Sequence, residues 1–175
     1  MSAAAPARPA ADEYAPYYEK YVSLVPAGDI VETLERQLSD TLSLLRSVPE
    51  DRAGASYEPG KWSIKEVVGH VIDSERVFSY RALRFGRGDE TPLPGYEQDD
   101  YVSAANFGAR PLANIAEEFE SARASTLALL RSFDAEAWAR RGTANDNEVS
   151  VRALAHILAG HEAHHVGILR ERYLK

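Results

Sequence analysis

The sequence predicts an all-α protein that folds as a four-helix bundle. Four long segments carry apolar residues at helical spacing between helix start and stop signals, and no segment shows a convincing strand pattern. The chain of 175 residues is long enough for one domain with a single core. A long connection after the second helix, residues 86–110, predicts a crossover within the bundle.

The first two predicted helices begin at recognisable caps. Asp29 opens the first helix, with Glu32 three residues later, and Pro49 stops it. Ser63 opens the second helix with Glu66 in the same relation, and a pair of glycines ends it. Apolar residues recurring every three to four positions give both helices a face for the core.

The connection at 86–110 is too apolar for a loose linker. Besides prolines and glycines it contains Leu93, Tyr96, Tyr101 and Phe107. Long loops in compact domains are often functional. We therefore expect this segment to pack onto the bundle, over a site.

The last two helices are also bounded by local signals. Pro111 begins the third helix, which continues to about Leu130. "DAEAWARR" predicts a short extra helical turn and "GTANDNEVS" a loop. Ser150 then caps the fourth helix, "VRALAHILAGHEAHHVGILRERYL".

Composition narrows the functional classes. The chain has no cysteine, which excludes disulfides and thiolate metal sites and is typical of the cytoplasm. Its net charge of −7 disfavours nucleic-acid binding, and no segment is apolar enough for us to expect a membrane span. The Ala- and Pro-rich residues 1–13 predict a disordered tail, leaving 14–175 as one domain.

Two histidines of the fourth helix face the predicted core. At about 100° per residue, His161 and His165 fall in the middle of the apolar arc, His164 lies on its flank, and His156 points towards solvent. A single inward histidine is usually a hydrogen-bonded core residue. Two of them one turn apart have several ring nitrogens to satisfy away from water, and a shared metal ion would do so.

A third histidine is available on the second helix. His70 lies at the edge of that helix's apolar stripe, and the second and fourth helices of a bundle can face each other. Together with His161 and His165 it would make a three-histidine metal site with an open position, the alternative being three unrelated core histidines. Asp73 or Glu66, on the polar side of the same helix, could orient a ligand.

The run His161-Glu162-Ala163-His164-His165 also matches the H-E-x-x-H pattern of zinc proteases. Those enzymes take a third ligand downstream, but only ten residues follow His165 and none of them is histidine. A di-iron carboxylate bundle needs two Glu-x-x-His pairs, and Val67 stands where the second glutamate would precede His70. We favour neither class.

Three stretches carry a family resemblance. "YEPGKWSIKEVVGHVIDSERVFSYRALRF", "GDETPLPGYEQDDYV" and "VRALAHILAGHEAHHVGILRERYL" resemble the DinB-like superfamily, in particular its YfiT-like branch, over about residues 28–173. The resemblance implies a four-helix bundle with one divalent ion, zinc or nickel. It implies that His70 and the H-x-x-x-H pair His161 and His165 hold that ion.

The resemblance suggests function only at the level of class. It implies an enzyme that transfers a low-molecular-weight thiol to a small-molecule electrophile, or a metal-dependent hydrolase in which Glu162 or Asp73 accepts the proton. A non-catalytic stress-response bundle with a structural metal is the third alternative. We also expect a homodimer, because the resemblance implies one and because Val31, Val68 and Ile72 lie off the main apolar stripes.

Overall fold

The structure is a computed structural model that describes residues 6–175, and it confirms the four-helix bundle. The bundle helices are α2, α4, α6 and α8. In chain order the helices and strands are α1 (Glu19–Val22), α2 (Ile30–Ser47), α3 (Glu50–Ala53), α4 (Ile64–Gly86), α5 (Gln98–Ala105), α6 (Leu112–Arg131), α7 (Ala135–Ala139), β1 (Arg141–Ala144), β2 (Asn147–Ser150) and α8 (Val151–Ile168), with a π-helical turn at Leu169–Tyr173.

The predicted helix caps are confirmed. The Asp29 carboxylate accepts hydrogen bonds from the first turn of α2. Ser63 and Glu66 form a reciprocal capping box at the start of α4, and the Ser150 hydroxyl accepts from the Ala153 N–H at the start of α8. Since each cap satisfies donors that a helix end leaves unpaired, these positions set where the helices begin.

The segment predicted as a loop, "GTANDNEVS", is instead part of a β-hairpin. β1 pairs antiparallel with β2, and Asn145 and Asp146 form the turn with φ of 50° and 61°. Two successive residues with positive φ make the type I′ geometry that suits a two-residue hairpin. The Leu93 N–H donates to Thr143 O, so the long connection is anchored to the hairpin edge. Strands of four residues are too short to produce a clear alternation.

The predicted disorder of residues 1–13 differs from the structure over its second half. Residues 1–5 lie outside the described residues. Arg8 donates to two carbonyl oxygens at the end of α1, and Glu13 is 2% exposed. Burial alone would raise the pKa of Glu13, but hydrogen bonds, chiefly from Arg152, lower it to about 2. This ion pair attaches the segment to α8.

Residues 14–25 form a strap across α8. Tyr14 and Tyr21 are buried, and the ring of Tyr18 packs edge-on against Phe78 of α4. The strap comes so close to α8 that a β-carbon on Gly160 would collide with the backbone of Tyr21. A glycine is therefore needed at this contact.

Two residues on which the homodimer prediction relied are buried within the chain. Val68 is 4% exposed and Ile72 is fully buried, both in the apolar cluster between α4 and α6. They do not form a surface for a second copy. Val31 is half-buried and packs against the core, so the homodimer stays a prediction that rests on the resemblance alone.

A buried ion network connects all four bundle helices. Arg123 of α6 donates to both carboxylate oxygens of Glu75 on α4, to Glu162 on α8 and to the Leu34 carbonyl on α2. Thr41 of α2 donates to the other Glu162 oxygen at 2.6 Å. We call Glu75, Arg123, Glu162 and Thr41 the ion network. The sequence pattern did not predict it, because a charged residue such as Arg123 is not expected inside an apolar stripe.

No helix among residues 6–175 has the length and apolar character that a membrane crossing requires.

Candidate metal centre

The structure brings the three predicted ligand histidines together. His70 Nε2 of α4 lies 3.0 Å from His161 Nε2 of α8, and His165 Nε2 lies 3.1 Å from the same atom. One nitrogen of each ring lies within 4.8 Å of those of the other two. We call these three residues the histidine cluster.

The separations fit a shared metal ion better than mutual hydrogen bonds. Ligand nitrogens about 2.0–2.1 Å from a tetrahedral zinc ion lie roughly 3.3 Å from each other. An imidazole nitrogen, by contrast, has either one hydrogen or one lone pair. His161 Nε2 therefore cannot make good hydrogen bonds to both neighbours at once. A three-histidine site of this kind suggests a divalent metal.

Burial favours the neutral imidazoles that bind metals. Desolvation lowers the pKa of His70 to about 4 and that of His165 to about 3. It also places the pKa of His161 well below its ordinary value, with the neighbouring histidines contributing in the same direction. The rings are thus unprotonated at neutral pH, with lone pairs available to a cation.

Two glycines let covering segments approach the cluster. Gly69 precedes His70, and a β-carbon there would collide with the Phe107 ring from the long connection. Gly160 precedes His161 and allows the strap contact described above. The Tyr21 ring accordingly packs edge-on against His161, with a centroid separation of 5.3 Å. The Tyr21 ring therefore covers one side of His161.

Two cavities reach the cluster from different directions. The tyrosine cavity, about 380 Å³, includes His161 in its wall, and the tryptophan cavity, about 270 Å³, includes His165. The tyrosine cavity is bounded mainly by the strap, α4 and the long connection, including Tyr17, Tyr18, Tyr21, Phe78, Arg81, Tyr96 and Asp99. The tryptophan cavity is bounded by Tyr57, Trp62, Val67, Gln98, Asp99 and Tyr173.

Asp99 is a site residue that the sequence reasoning missed. It lies at the start of α5, in the long connection, and lines both cavities. Its negative charge raises the pKa of His70 against the larger opposite effect of burial. The centre of the Trp62 ring lies 4.9 Å from that of the His70 ring. The sequence predicted that the long connection covers a site, but it did not indicate which acid of the connection lies there.

The two acids predicted as proton acceptors are placed elsewhere. Glu162 is buried in the ion network, where its oxygens accept from Thr41 and Arg123. Burial raises the pKa of Glu162, and Arg123 only partly offsets that effect. Asp73 is surrounded by the charges of Arg76, Glu118 and Arg110. Within residues 6–175, no hydrogen bond joins either carboxylate to an imidazole of the histidine cluster.

The remaining histidines lie outside the cluster. His156, predicted to face solvent, is only 3% exposed, and its Nδ1 lies 2.8 Å from the Arg152 carbonyl oxygen. The prediction of exposure was wrong because the ordered N-terminal segment covers that side of α8. His164 is half-buried beside Tyr21, on the flank of the cluster as predicted.

Comparison with known proteins connects this site to a family. A profile of the DinB superfamily matches residues 33–169. A protein of Oceanobacillus iheyensis with the provisional name metal-dependent hydrolase is 24% identical over 142 residues, which cover 80% of this chain and 79% of the relative.

Two solved structures share the fold at 16% identity. YfiT from Bacillus subtilis, described as a probable metal-dependent hydrolase with an unusual four-helix bundle topology, superposes with a TM-score of 0.69 over 97% of this chain and 91% of its own. The mycothiol-dependent maleylpyruvate isomerase gives 0.66 over 78% of this chain and 58% of its own. The profile match spans most of the bundle, and the fold agrees with it: this chain belongs to the DinB superfamily and has the YfiT-type four-helix fold.

Proposed function

We propose that this protein is a metal-dependent enzyme that transfers a low-molecular-weight thiol to a small electrophile. The observation that carries the proposal is the meeting of two cavities at one histidine cluster, through His161 and His165 respectively. A reaction between two substrates needs two binding spaces that share a reaction centre. In the proposal the tryptophan cavity takes the thiol and the tyrosine cavity the electrophile.

His70, His161 and His165 are the proposed ligands of one divalent ion, with zinc or nickel the expected choices. Such an ion supplies an open position at which a thiol, whose ordinary pKa is about 8.5, ionises at neutral pH. The three imidazoles contribute by staying neutral in their buried positions. Trp62 and Tyr173 form part of an aromatic wall that limits access of water to His165.

Asp99 is the proposed proton acceptor. Its carboxylate borders both cavities, so it can take the proton of a thiol on one side and return it on the other. The sulfur forms a bond to the electrophilic carbon. If that carbon has a leaving group, the bond to it breaks and the electron pair departs with the group; if the carbon is unsaturated, the displaced pair takes the proton back from Asp99.

Hydrolysis is the second candidate, and the same position of Asp99 favours it. A carboxylate that can deprotonate a thiol beside the cluster can also deprotonate water. The names of the Oceanobacillus protein and of YfiT support this reading, and the mycothiol dependence in the name of the isomerase supports the first. The two candidates differ in whether sulfur enters the site.

Cobalt-substituted protein distinguishes them. Bacillithiol, mycothiol, glutathione and coenzyme A are added one at a time. We expect one of them to produce a near-ultraviolet sulfur-to-cobalt charge-transfer band and to be conjugated to a reactive electrophile. If all four leave the spectrum unchanged while the loaded protein cleaves activated esters, the thiol proposal fails and hydrolysis replaces it.

Asp99→Asn tests the proton acceptor. We expect the variant to keep the metal and the thiol-dependent band, since Asp99 is not a proposed ligand, but to conjugate the thiol at least tenfold more slowly. Asp100→Asn is the matched control, because the adjacent residue is exposed and lines neither cavity. Equal rates in the two variants would remove Asp99 from the mechanism.

A further inference from the structure

Arg81 of α4 is a buried cation without an anionic partner. Its side chain is 5% exposed, and its Nη2 donates to the Pro94 carbonyl oxygen at 2.9 Å. Among residues 6–175, however, no carboxylate lies within ion-pair distance of it. Buried arginines are normally paired, so this one requires an explanation.

Arg81 has unpaired donors beside the tyrosine cavity. Arg81 is part of the cavity wall. In the described part of the chain, Gln37 Oε1 is the one sealed side-chain polar atom that lacks a hydrogen-bond partner. The Nε and Nη1 groups of Arg81 have no protein acceptor there and are not sealed by protein, and the tyrosine cavity is the space that this side chain lines.

Phe78 connects this cation to the histidine cluster. The guanidinium carbon of Arg81 lies 5.9 Å from the centre of the Phe78 ring, and that ring lies 6.1 Å from the ring of His161. All three line the tyrosine cavity. A molecule lying along Phe78 can thus have one end at the guanidinium and the other near the proposed metal.

We propose that the tyrosine cavity binds a small carboxylic acid, with its carboxylate on Arg81 and its reacting end at the histidine cluster. This inference rests on the proposed function for the identity of the second site, and it names the electrophile as an acid with an apolar body. A guanidinium with free N–H groups matches a carboxylate in charge and geometry. The ring faces of Tyr18 and Phe78 suit an aromatic or unsaturated body.

The other charges around the cavity favour a single carboxylate. Glu97 and Asp99 also line it, and both are exposed, so solvent screens them more than it screens the buried Arg81. They repel a second negative charge in the part of the cavity that they line. One buried cation therefore selects one carboxylate, at the Arg81 end.

Calorimetric titration tests the inference on the full chain, both metal-loaded and metal-free. The probes are phenylacetate and benzoate, each compared with its neutral amide, phenylacetamide or benzamide. We expect at least one acid to bind tenfold or more tightly than its amide, because a charge-assisted bond is made only by the acid. The preference should persist after chelation of the metal, since Arg81 and not the ion causes it.

Variants of Arg81 locate the effect. Arg81→Met should abolish the preference for acid over amide, and Arg81→Lys should keep the charge but lose severalfold in affinity with the bidentate geometry. Arg84→Met is the control, because Arg84 pairs with Asp89 and is absent from the cavity wall. If Arg81→Met does not fold, the loss of carboxylate affinity in Arg81→Lys tests the inference in its place.

Two results would overturn the inference. One is equal binding of acid and amide to the wild type for both probe pairs. The other is a preference that needs the metal and is unchanged in the Arg81 variants, which would mean that the carboxylate binds the ion directly. That second result would leave the proposed thiol transfer intact, whereas failure of thiol transfer would leave carboxylate binding to metal-free protein unaffected.

Discussion

His161 and Glu162 are neighbours on α8, yet they belong to buried polar clusters of opposite character. In the ion network every hydrogen-bond partner is supplied by the protein. Arg123 donates to Glu75, Glu162 and a backbone carbonyl, and Thr41 donates to the second carboxylate oxygen of Glu162. In the histidine cluster His70 Nε2 and His165 Nε2 lie 3.0 and 3.1 Å from His161 Nε2, which has only one hydrogen or one lone pair to offer the two of them.

The difference distinguishes a structural from a functional polar cluster. The ion network joins all four bundle helices, and its charged side chains are nearly inaccessible to solvent. The histidine cluster borders two cavities and is covered by the strap and the long connection. Buried polar groups that the protein satisfies hold a fold together, whereas groups left in need of a partner mark a place for a ligand.

The largest expected effect of a single substitution is on the ion network. Arg123→Met removes the shared cation and leaves Glu75 and Glu162 buried together, so we expect the free energy of unfolding to fall by about 3–5 kcal/mol. Urea denaturation measures it. Arg131→Met is the matched control on the same helix: Arg131 forms an exposed pair with Glu35, and its loss should cost less than about 1 kcal/mol. Equal losses would mean that the network adds no stability.

The histidine cluster should respond to metal where the ion network does not. A divalent ion at a hundredfold excess over its Kd should raise the free energy of unfolding of the wild type by about 2.7 kcal/mol. His165→Gln removes a proposed ligand and should abolish the gain. Thermal melts with and without zinc measure both. If His165→Gln is stabilised as much as the wild type, the ion binds elsewhere.

Acid should weaken the metal-free fold through the same histidines. Burial lowers the pKa of His70 to about 4 and of His165 to about 3, against an ordinary value of 6.5. As pH falls below 6.5, these histidines bind protons in the unfolded chain but stay unprotonated in the folded chain. The free energy of unfolding should therefore decrease down to about pH 4, by up to about 1.4 kcal/mol per pH unit for each histidine.

Urea titrations at a series of pH values measure this slope. His165→Gln removes one titrating group and should make the slope shallower between pH 6.5 and about 4. The lowered pKa of Glu13 acts in a lower range, from 4.5 down to about 2, so the two effects can be separated. Identical slopes in wild type and variant would contradict the burial of a neutral His165.

The parts of this site that follow from helical periodicity could be predicted from the sequence. His161 and His165 lie on one face because they are four residues apart, and Ser63 and Ser150 set where α4 and α8 begin. Residues that depend on distant packing could not be predicted in this way. The burial of His156 requires the N-terminal segment to lie on α8.

Charged residues were the least predictable. Arg123 lies in an apolar stripe where a charge normally indicates a surface position, and only the matching acids on α4 and α8 explain its burial. Asp99 approaches the histidine cluster because the long connection folds back over the bundle, anchored at Leu93 to the hairpin. Neither arrangement leaves a periodic signal in the sequence.

Metal content per chain tests the central claim most directly. Protein purified without a metal-binding tag is loaded with zinc or nickel, dialysed, and analysed by mass spectrometry. We expect one divalent ion per chain in the wild type and in Glu162→Gln, and almost none in His70→Ala, His161→Ala or His165→Ala. Loss of the ion from Glu162→Gln together with its retention by His70→Ala would contradict the assignment of the histidine cluster as the metal site.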